Sequence, residues 1–439
     1  MSANISVVGL GKLGLCLASV FASKGFKVVG IDVDKSKIEF VNRGESPIFE
    51  PGLQEMITSN RKRLSATDEF DSIKKTDATF VVVPTPSDES GEFSLEFVKP
   101  VMENIGKVLA SKDGYHLVVL SSTIMPNSMD DVVSPTLESF SGKRCGKDFG
   151  LCYNPEFIAL GDVIKGFLEP DFILVGESDI KAGNMISEIH RAVSKAPIER
   201  MNFVNAEIAK IAVNSFVTMK ISFANTLAEI CENLPGADVE KITTAIGKDK
   251  RIGSVYLKGA LGYGGPCFPR DNVAFTCFAK KIGIDAQLAV AAHSINIKQV
   301  QRIMRLIESI GIHPPAKVGV LGLTYKPKTN VTEESQPLML VNSLSKYGFD
   351  VCAYDPAFVN SSESVVGPEI RLTKSAEDCI ASSDLCIIAT PWDVFSKIDE
   401  SQFSNKIVLD CWRIFAQDGL QNALKYVVVG KNPLTTSLY

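Results

Sequence analysis

The sequence predicts an α/β chain built from two Rossmann-like, doubly wound domains joined by a central helical region. Three observations carry this. A glycine-rich turn, Gly9-Leu10-Gly11-Lys12-Leu13-Gly14, separates a short apolar strand from a helix. The strand-and-turn pattern of the N-terminal third recurs in the C-terminal third, and between them the hydrophobic spacing changes from short runs to helical periodicity. The boundaries fall at 1–200, 201–312 and 313–439, in keeping with roughly 150 residues per domain.

Bulk properties narrow the class. With 45% hydrophobic and 22% charged residues among 439, the chain has the composition of a soluble globular protein with ample core. A net charge of −5, with no basic tract or basic amphipathic stretch, argues against a nucleic-acid or membrane-surface binder. The ten cysteines are scattered singly, without a Cys-x-x-Cys pair or a His at metal spacing, so neither a disulfide framework nor a metal site is expected. Free thiols suit a reducing compartment. The N-terminus enters a strand at once, without the pattern of a signal peptide, so the expected location is cytoplasmic.

The first strand, 5–8, runs into Gly9, Gly11 and Gly14, a G-x-G-x-x-G between strand and helix. Glycines there allow a tight turn, close approach of a pyrophosphate and helix–strand packing, while the helix N-terminus offers free N–H groups. The next strand, 27–31, ends in Asp32, where a carboxylate takes ribose hydroxyls and repels a 2′-phosphate. NAD is therefore the expected cofactor. Strands at 78–83 and 116–120 lead into Pro84-Thr85-Pro86 and Ser121-Ser122-Thr123. Ligands of open parallel sheets sit beyond strand carboxyl ends, which places Thr85 and Thr123 near the cofactor; helix capping is the competing role. A strand at 150–152 enters Tyr153-Asn154-Pro155-Glu156-Phe157, setting Glu156 at a strand end.

From Asn205 the apolar residues cover more than one helix face, as in a buried helix or a subunit interface, so at least a dimer is expected. Lys210 and Asn214 stand at i, i+4, where a cation and an amide can stabilise an oxyanion together; an ordinary surface pair is the alternative. Arg251 offers a planar fork for carboxylate or phosphate. In Gly262-Tyr263-Gly264-Gly265-Pro266-Cys267-Phe268-Pro269-Arg270-Asp271 a single thiol follows a flexible approach and precedes a carboxylate, as a presented nucleophile does. A buried small hydrophobe is the bland reading of Cys267. One long apolar helix is expected over 285–309, ended by Gly311 and Pro314-Pro315.

In the last third, 317–323 resembles the first strand and its turn, 351–355 parallels 28–32, and 385–391 parallels 80–86. The second unit lacks a full G-x-G-x-x-G, so a different nucleotide or phosphate group is expected there, with the active site in a cleft between the two nucleotide-binding domains. Tyr325-Lys326 and Trp412-Arg413, at strand ends, would face it.

Taken together, the N-terminal fingerprint, Asn154-Pro155-Glu156-Phe157, Lys210 with Asn214, Arg251-Ile252-Gly253, and Gly264 through Asp271 resemble the UDP-glucose/GDP-mannose dehydrogenase family over nearly the whole chain. The resemblance implies oxidation of the C6 hydroxyl of a nucleotide sugar to a carboxylate, with two NAD consumed. It implies that Cys267 traps the aldehyde as a thiohemiacetal and then carries a thioester. Lys210 and Asn214 stabilise the oxyanion, Asp271 handles protons or orients water, and Glu156 with Thr123 serves thioester hydrolysis. Gly9, Gly11, Lys12, Leu13, Gly14, Asp32, Lys37, Thr85, Thr123 and Glu156 would meet the cofactor. The nucleotide sugar would meet Glu156, Phe157, Lys210, Asn214, Arg251 from a partner subunit, the loop from Lys258 through Tyr263 to Gly264, Tyr325-Lys326 and Arg413. Covalent capture keeps the aldehyde from leaving between oxidations.

Three departures mark the chain: Leu160 and Phe172 where the family often has Glu and Arg, and Glu333 where an Arg is usual. UDP-glucose is the first expected donor, with UDP-N-acetylhexosamines and GDP-mannose behind it. Two other readings are a β-hydroxyacid-type dehydrogenase performing one hydride transfer, which has no use for the cysteine loop, and a nucleotide-binding protein without turnover.

Overall fold

In the computed structural model, which describes residues 3–358, 365–415 and 420–433, the chain divides into two compact units, Met1–Ala212 and Val213–Tyr439. The N-terminal unit is built on strands β1 (Asn4–Val8), β2 (Lys27–Ile31), β3 (Leu64–Thr67), β4 (Ala78–Val81), β5 (Leu117–Leu120), β6 (Gly150–Tyr153), β7 (Ile173–Glu177) and β8 (Ile198–Met201). They form one sheet in the order β3-β2-β1-β4-β5-β6-β7-β8, parallel except where β6 meets β7. β4, β5 and β6 are buried at every position, as strands covered by helices on both faces must be. Strand order reverses at β1, which pairs with β2 along one edge and with β4 along the other, so the crevice for a ligand opens beyond the carboxyl ends of β1 and β4.

The second unit carries a six-stranded parallel sheet of β9 (Lys317–Leu321), β10 (Asp350–Tyr354), β11 (Arg371–Leu372), β12 (Leu385–Ile388), β13 (Ile407–Asp410) and β14 (Lys425–Val428), ordered β11-β10-β9-β12-β13-β14. This is the same reversal between the first and fourth strands, so the predicted repetition of the first domain is present. Ahead of the sheet lie helices Val239–Ile246, Phe268–Lys281, Gln287–Ile297 and Gln299–Ser309. The helix read from Asn205 onward extends over Phe203–Asn233. No helix among the described residues is long and apolar enough to cross a membrane.

The single helix expected over 285–309 is instead two, broken at Lys298. Side chains cause the break. The Gln299 amide donates to the Ile295 carbonyl (2.8 Å), and the Lys298 amide folds back to the same carbonyl (3.2 Å). Diverting a carbonyl from its i+4 partner interrupts the ladder, a cause that apolar periodicity does not register.

Candidate functional site

The glycine turn after β1 is dictated by sterics. Gly9 has φ +92°, and a Cβ there would lie 2.3 Å from the Val82 carbonyl oxygen; at Gly14 it would lie 1.9 Å from the Gly9 oxygen. Both positions exclude a side chain for reasons internal to the fold. At Gly11 a Cβ would meet no protein atom within 4 Å, so the space beside it suits a ligand. The helix Lys12–Ser23 begins here without a side-chain cap, leaving its first-turn N–H groups for an anion. Lys12 and Leu13 are half-buried at that turn. Asp32 accepts hydrogen bonds from the Leu10 amide (2.6 Å) and the Asp34 amide (2.9 Å), and Lys37 lies 3.7 Å from it. The carboxylate is thus fixed at the strand end where a ribose would reach it, and the residues present fit a dinucleotide.

β4 and β5 end in loops tied to each other. The Thr85 hydroxyl donates to the Thr123 carbonyl (2.7 Å), and Ser122 Oγ both donates to the Val83 carbonyl (2.6 Å) and accepts from its amide (3.1 Å). Thr85 therefore holds Thr123 in place and caps no helix. Past Thr123 the chain is anchored by Glu207, a residue that sequence reasoning missed. Fully buried, it accepts from the amides of Asn127 (2.7 Å) and Met129 (2.8 Å). Burial, with Asp130 and Asp131 adding to it against those two hydrogen bonds, pushes its carboxyl up to about 7. Its signal was available: a lone carboxylate three residues before Lys210 in an otherwise apolar stretch.

Beyond β6, Asn154 is buried and fixes the turn. Its amide donates to the Leu174 carbonyl (2.9 Å), and its carbonyl oxygen lies 2.8 Å from His190 Nε2. Glu156 and Phe157 follow this turn, both half-buried. Lys210, 5% exposed, sets its ammonium 4.8 Å from the Phe157 ring centre, and Phe172 packs on the same ring at 4.9 Å. An aromatic pair thus occupies the place where the resemblance implies an Arg. Leu160 packs against the core of the unit. Enclosure by protein pushes the Glu156 carboxyl up to about 8, with Lys210 pulling the other way.

That shift has a sign. A carboxyl whose folded value exceeds its unfolded value favours the native state fully at low pH, and this contribution is lost as pH rises from about 4.5 through about 8. Glu156→Gln should flatten the decline of thermal stability over that window. In the pH profile of kcat/KM, which reports ionisations of the free enzyme, an inflection near 8 should be present in the parent and missing from the variant.

In the second unit, Cys267 stands exposed immediately before helix Phe268–Lys281, where the helix N-terminus favours a thiolate. Its side chain lies at the surface of the unit and not in its core. One turn on, Asp271 is 1% exposed; Asn214 Nδ2 donates to its carboxylate (2.6 Å), and Arg270 Nε lies 3.6 Å from the other oxygen. The adjacent pair repeats the link: Ser215 and Thr218 donate to Asn272 Oδ1 (3.0 and 3.3 Å), whose amide donates to the Ala289 carbonyl (2.8 Å). Asn272, given no role from sequence, therefore locks the helix that carries Cys267.

The approach to the thiol is close-packed. A Cβ at Gly264 would lie 2.2 Å from the Glu334 carbonyl oxygen, and one at Gly265 (φ +84°) 2.6 Å from the Tyr325 ring. The Gly265 amide donates to the Glu333 carbonyl (3.0 Å), so Glu333 serves this loop through its main chain. Burial, then the neighbouring Cys267 and Tyr256, raise the Tyr325 phenol, which stays a neutral donor. Lys326 follows it, half-buried. Arg251 is exposed and paired with Asp249 (2.7 Å).

At the carboxyl ends of β12 and β13, a cavity of about 310 Å³ is lined by Lys258, Trp392, Asp393, Trp412 and Arg413. Asp410 shapes its wall by accepting from the amides of Trp412, Arg413 and Ile414 (2.7–2.9 Å). The Arg413 guanidinium pairs with Asp238 (2.7 Å) and donates to the Val429 carbonyl (2.9 Å). Trp392 and Asp393 were not anticipated from the sequence. Asp355, in the place of Asp32, is 3% exposed and accepts from the amides of Leu323 and Thr324 (2.7 and 3.0 Å), the Thr324 hydroxyl and the Trp392 indole. Its carboxylate is spent inside the fold, which explains why this unit suits a ligand other than a dinucleotide.

Comparison with known proteins assigns the chain to one family over most of its length. Residues 3–194 match the NAD binding domain of the UDP-glucose/GDP-mannose dehydrogenase family, 204–298 its central domain and 319–417 its UDP binding domain. The chain is 37% identical over 418 residues to UDP-glucose 6-dehydrogenase AglM of Haloferax volcanii, covering 94% of this chain and 97% of that protein. It is 33% identical over 428 residues to UDP-glucose 6-dehydrogenase TuaD of Bacillus subtilis, covering 96% and 91%. The solved UDP-glucose dehydrogenase of Pyrobaculum islandicum superposes with a TM-score of 0.89 at 32% identity, covering 98% of each chain.

Proposed function

The chain belongs to the UDP-glucose/GDP-mannose dehydrogenase family and is an NAD-dependent nucleotide-sugar 6-dehydrogenase; from that premise we propose that it oxidises C6 of UDP-glucose to the carboxylate through a covalent adduct on Cys267. The observation that carries the covalent route is the exposed thiol at a helix N-terminus, one turn from a buried Asp271 held by Asn214. The match of full-length relatives named UDP-glucose 6-dehydrogenases supports the donor.

When bound, NAD would supply the hydride acceptor for each oxidation, and the proton released from the C6 hydroxyl in the first passes to Asp271 or to water. The chain does the rest. The Cys267 thiolate adds to the C6 aldehyde, forming a C–S bond and an oxyanion that the Lys210 ammonium and the Asn214 amide stabilise. Once oxidation has converted this thiohemiacetal to a thioester, water adds at the same carbon and the C–S bond breaks, returning the thiolate and the sugar acid. Asp271 orients the groups at sulfur. Glu156, whose carboxyl rests near 8, takes the proton of the attacking water, with Thr123 beside the cofactor. Arg251, Lys258, Tyr263, Tyr325, Lys326 and Arg413 bind the nucleotide sugar.

A coupled assay over UDP-glucose, UDP-N-acetylhexosamines and GDP-mannose tests this. UDP-glucose should give the highest kcat/KM with two NADH per sugar; a ratio of one would return the chain to single-step chemistry.

We also assign residues 201–312 to dimerisation. Phe216, Phe223 and Ile230, spaced seven apart on helix Phe203–Asn233, are 60%, 52% and 53% exposed, a stripe that a second copy would cover. Light scattering at working concentration should return at least twice the chain mass of 47.6 kDa. The ten free cysteines support a reducing, cytoplasmic setting.

A further inference from the structure

The segment Lys258 to Gly264, read above as a wall of the nucleotide-sugar site, has no regular secondary structure, yet its main chain at Ala260, Leu261 and Tyr263 is engaged by buried side chains. Asn225 accepts from the Ala260 amide (2.9 Å) and donates to the Leu261 carbonyl (3.2 Å). Asn296 treats Tyr263 the same way, accepting from its amide (2.7 Å) and donating to its carbonyl (2.9 Å). Between them Arg302 donates to the Ala260 carbonyl and to that of Asn225 (3.1 Å). All three side chains are at most 5% exposed. An Asn that pairs with both N–H and C=O of a peptide segment acts as a short strand edge, so the loop is pinned at Ala260–Leu261 and at Tyr263 without being sheet.

The arrangement reaches further. Arg302 lies 3.7 Å from Glu232, itself buried, and Glu232 accepts from the Gly430 amide (2.8 Å) just past β14. Burial lowers the Arg302 guanidinium and raises the Glu232 carboxyl, and each offsets the other's cost. A Cβ at Gly262 would lie 2.4 Å from Asn296 Oδ1, so the loop is seated directly on its clamp. We propose that Asn225, Asn296 and Arg302 are positioning residues that hold 259–263 as a preformed wall for the nucleotide sugar, with Glu232 relaying that position to the end of the C-terminal sheet. They touch no substrate. Their effect is to remove the ordering cost that a mobile loop would charge against binding.

This rests on the reading of 258–264 as the sugar-facing loop, and the test separates the two. Hydrogen–deuterium exchange on the full chain should show slow exchange at Ala260 and Tyr263, rising in Asn225→Ala and Asn296→Ala with the β9–β14 sheet unchanged. In the same variants KM for UDP-glucose should rise about tenfold, with kcat within about threefold and KM for NAD unmoved. Arg302→Lys, which keeps the charge and one donor, should fall between. Unchanged exchange in the loop would overturn the clamp; faster exchange with an unchanged sugar KM, or a fall in kcat alone, would overturn its positioning role. Lys258→Ala is the control on the underlying reading: if it leaves KM for UDP-glucose unchanged, the loop does not face the sugar. Should Asn225→Ala fail to fold, Asn296→Asp, which keeps the acceptor and loses the donor, carries the same prediction at smaller size.

Discussion

Cys267→Ser should reduce formation of the sugar acid by a factor on the order of 10⁴ or more, with the fold and NAD affinity retained. Among the cysteines, Cys267 is the exposed one. Burial pushes Cys16 up to about 12, holds Cys386 and Cys411 well above the usual thiol range and raises Cys145, which disfavours each of these as nucleophile. A serine at 267 occupies the same helix N-terminus, but its hydroxyl ionises far too weakly to add to the aldehyde. The first oxidation does not need sulfur, so aldehyde should still form and be trapped by an amine reagent. Mass spectrometry of the parent quenched with UDP-glucose should find an adduct on the peptide bearing Cys267. Acid production by the serine variant at the parent rate would end the covalent proposal.

The second large effect distinguishes glycines that serve the ligand from those that serve the fold. Gly11→Ala adds a methyl where no protein atom lies within 4 Å, so thermal stability should hold while Kd for NAD rises by roughly two orders of magnitude through collision with the pyrophosphate. Gly14→Ala drives a methyl to 1.9 Å from the Gly9 oxygen, forcing strand and helix apart. It should lose both affinity and stability, by roughly 1–3 kcal/mol. Differential scanning calorimetry with isothermal titration of NAD reads both. Equal behaviour of the two variants would mean that the dinucleotide does not pass over Gly11.

The fold was legible because its signals are local. The N-terminal fingerprint, its echo at Gly322 and the change of period at Asn205 each depend on neighbours within a few residues. The thiol was legible for the same reason: Gly265, Pro266 and Pro269 bracket it. What escaped were partners fixed by tertiary contact. Glu207 takes its meaning from amides 78 and 80 positions away, and Asn272 from hydroxyls 54 and 57 positions away. The break at Lys298 arises from one glutamine amide that competes with the helix ladder, a choice that apolar spacing does not encode. Thr85 was placed at the correct strand end with its hydroxyl turned to main chain, a distinction residue type alone does not make.

Asp355 and its five donors, with Thr390 filling the space beside Gly322, occupy the turn of the second sheet from within, so the proposed double oxidation draws on one nicotinamide seat, the one beyond β1. Two electron pairs must therefore leave one after the other through the same doorway. In the covalent route proposed for Cys267, the half-oxidised sugar has to outlast the exchange of NADH for NAD, so the slowest tolerable off-rate of NADH sets the lifetime that the carbon–sulfur bond must provide.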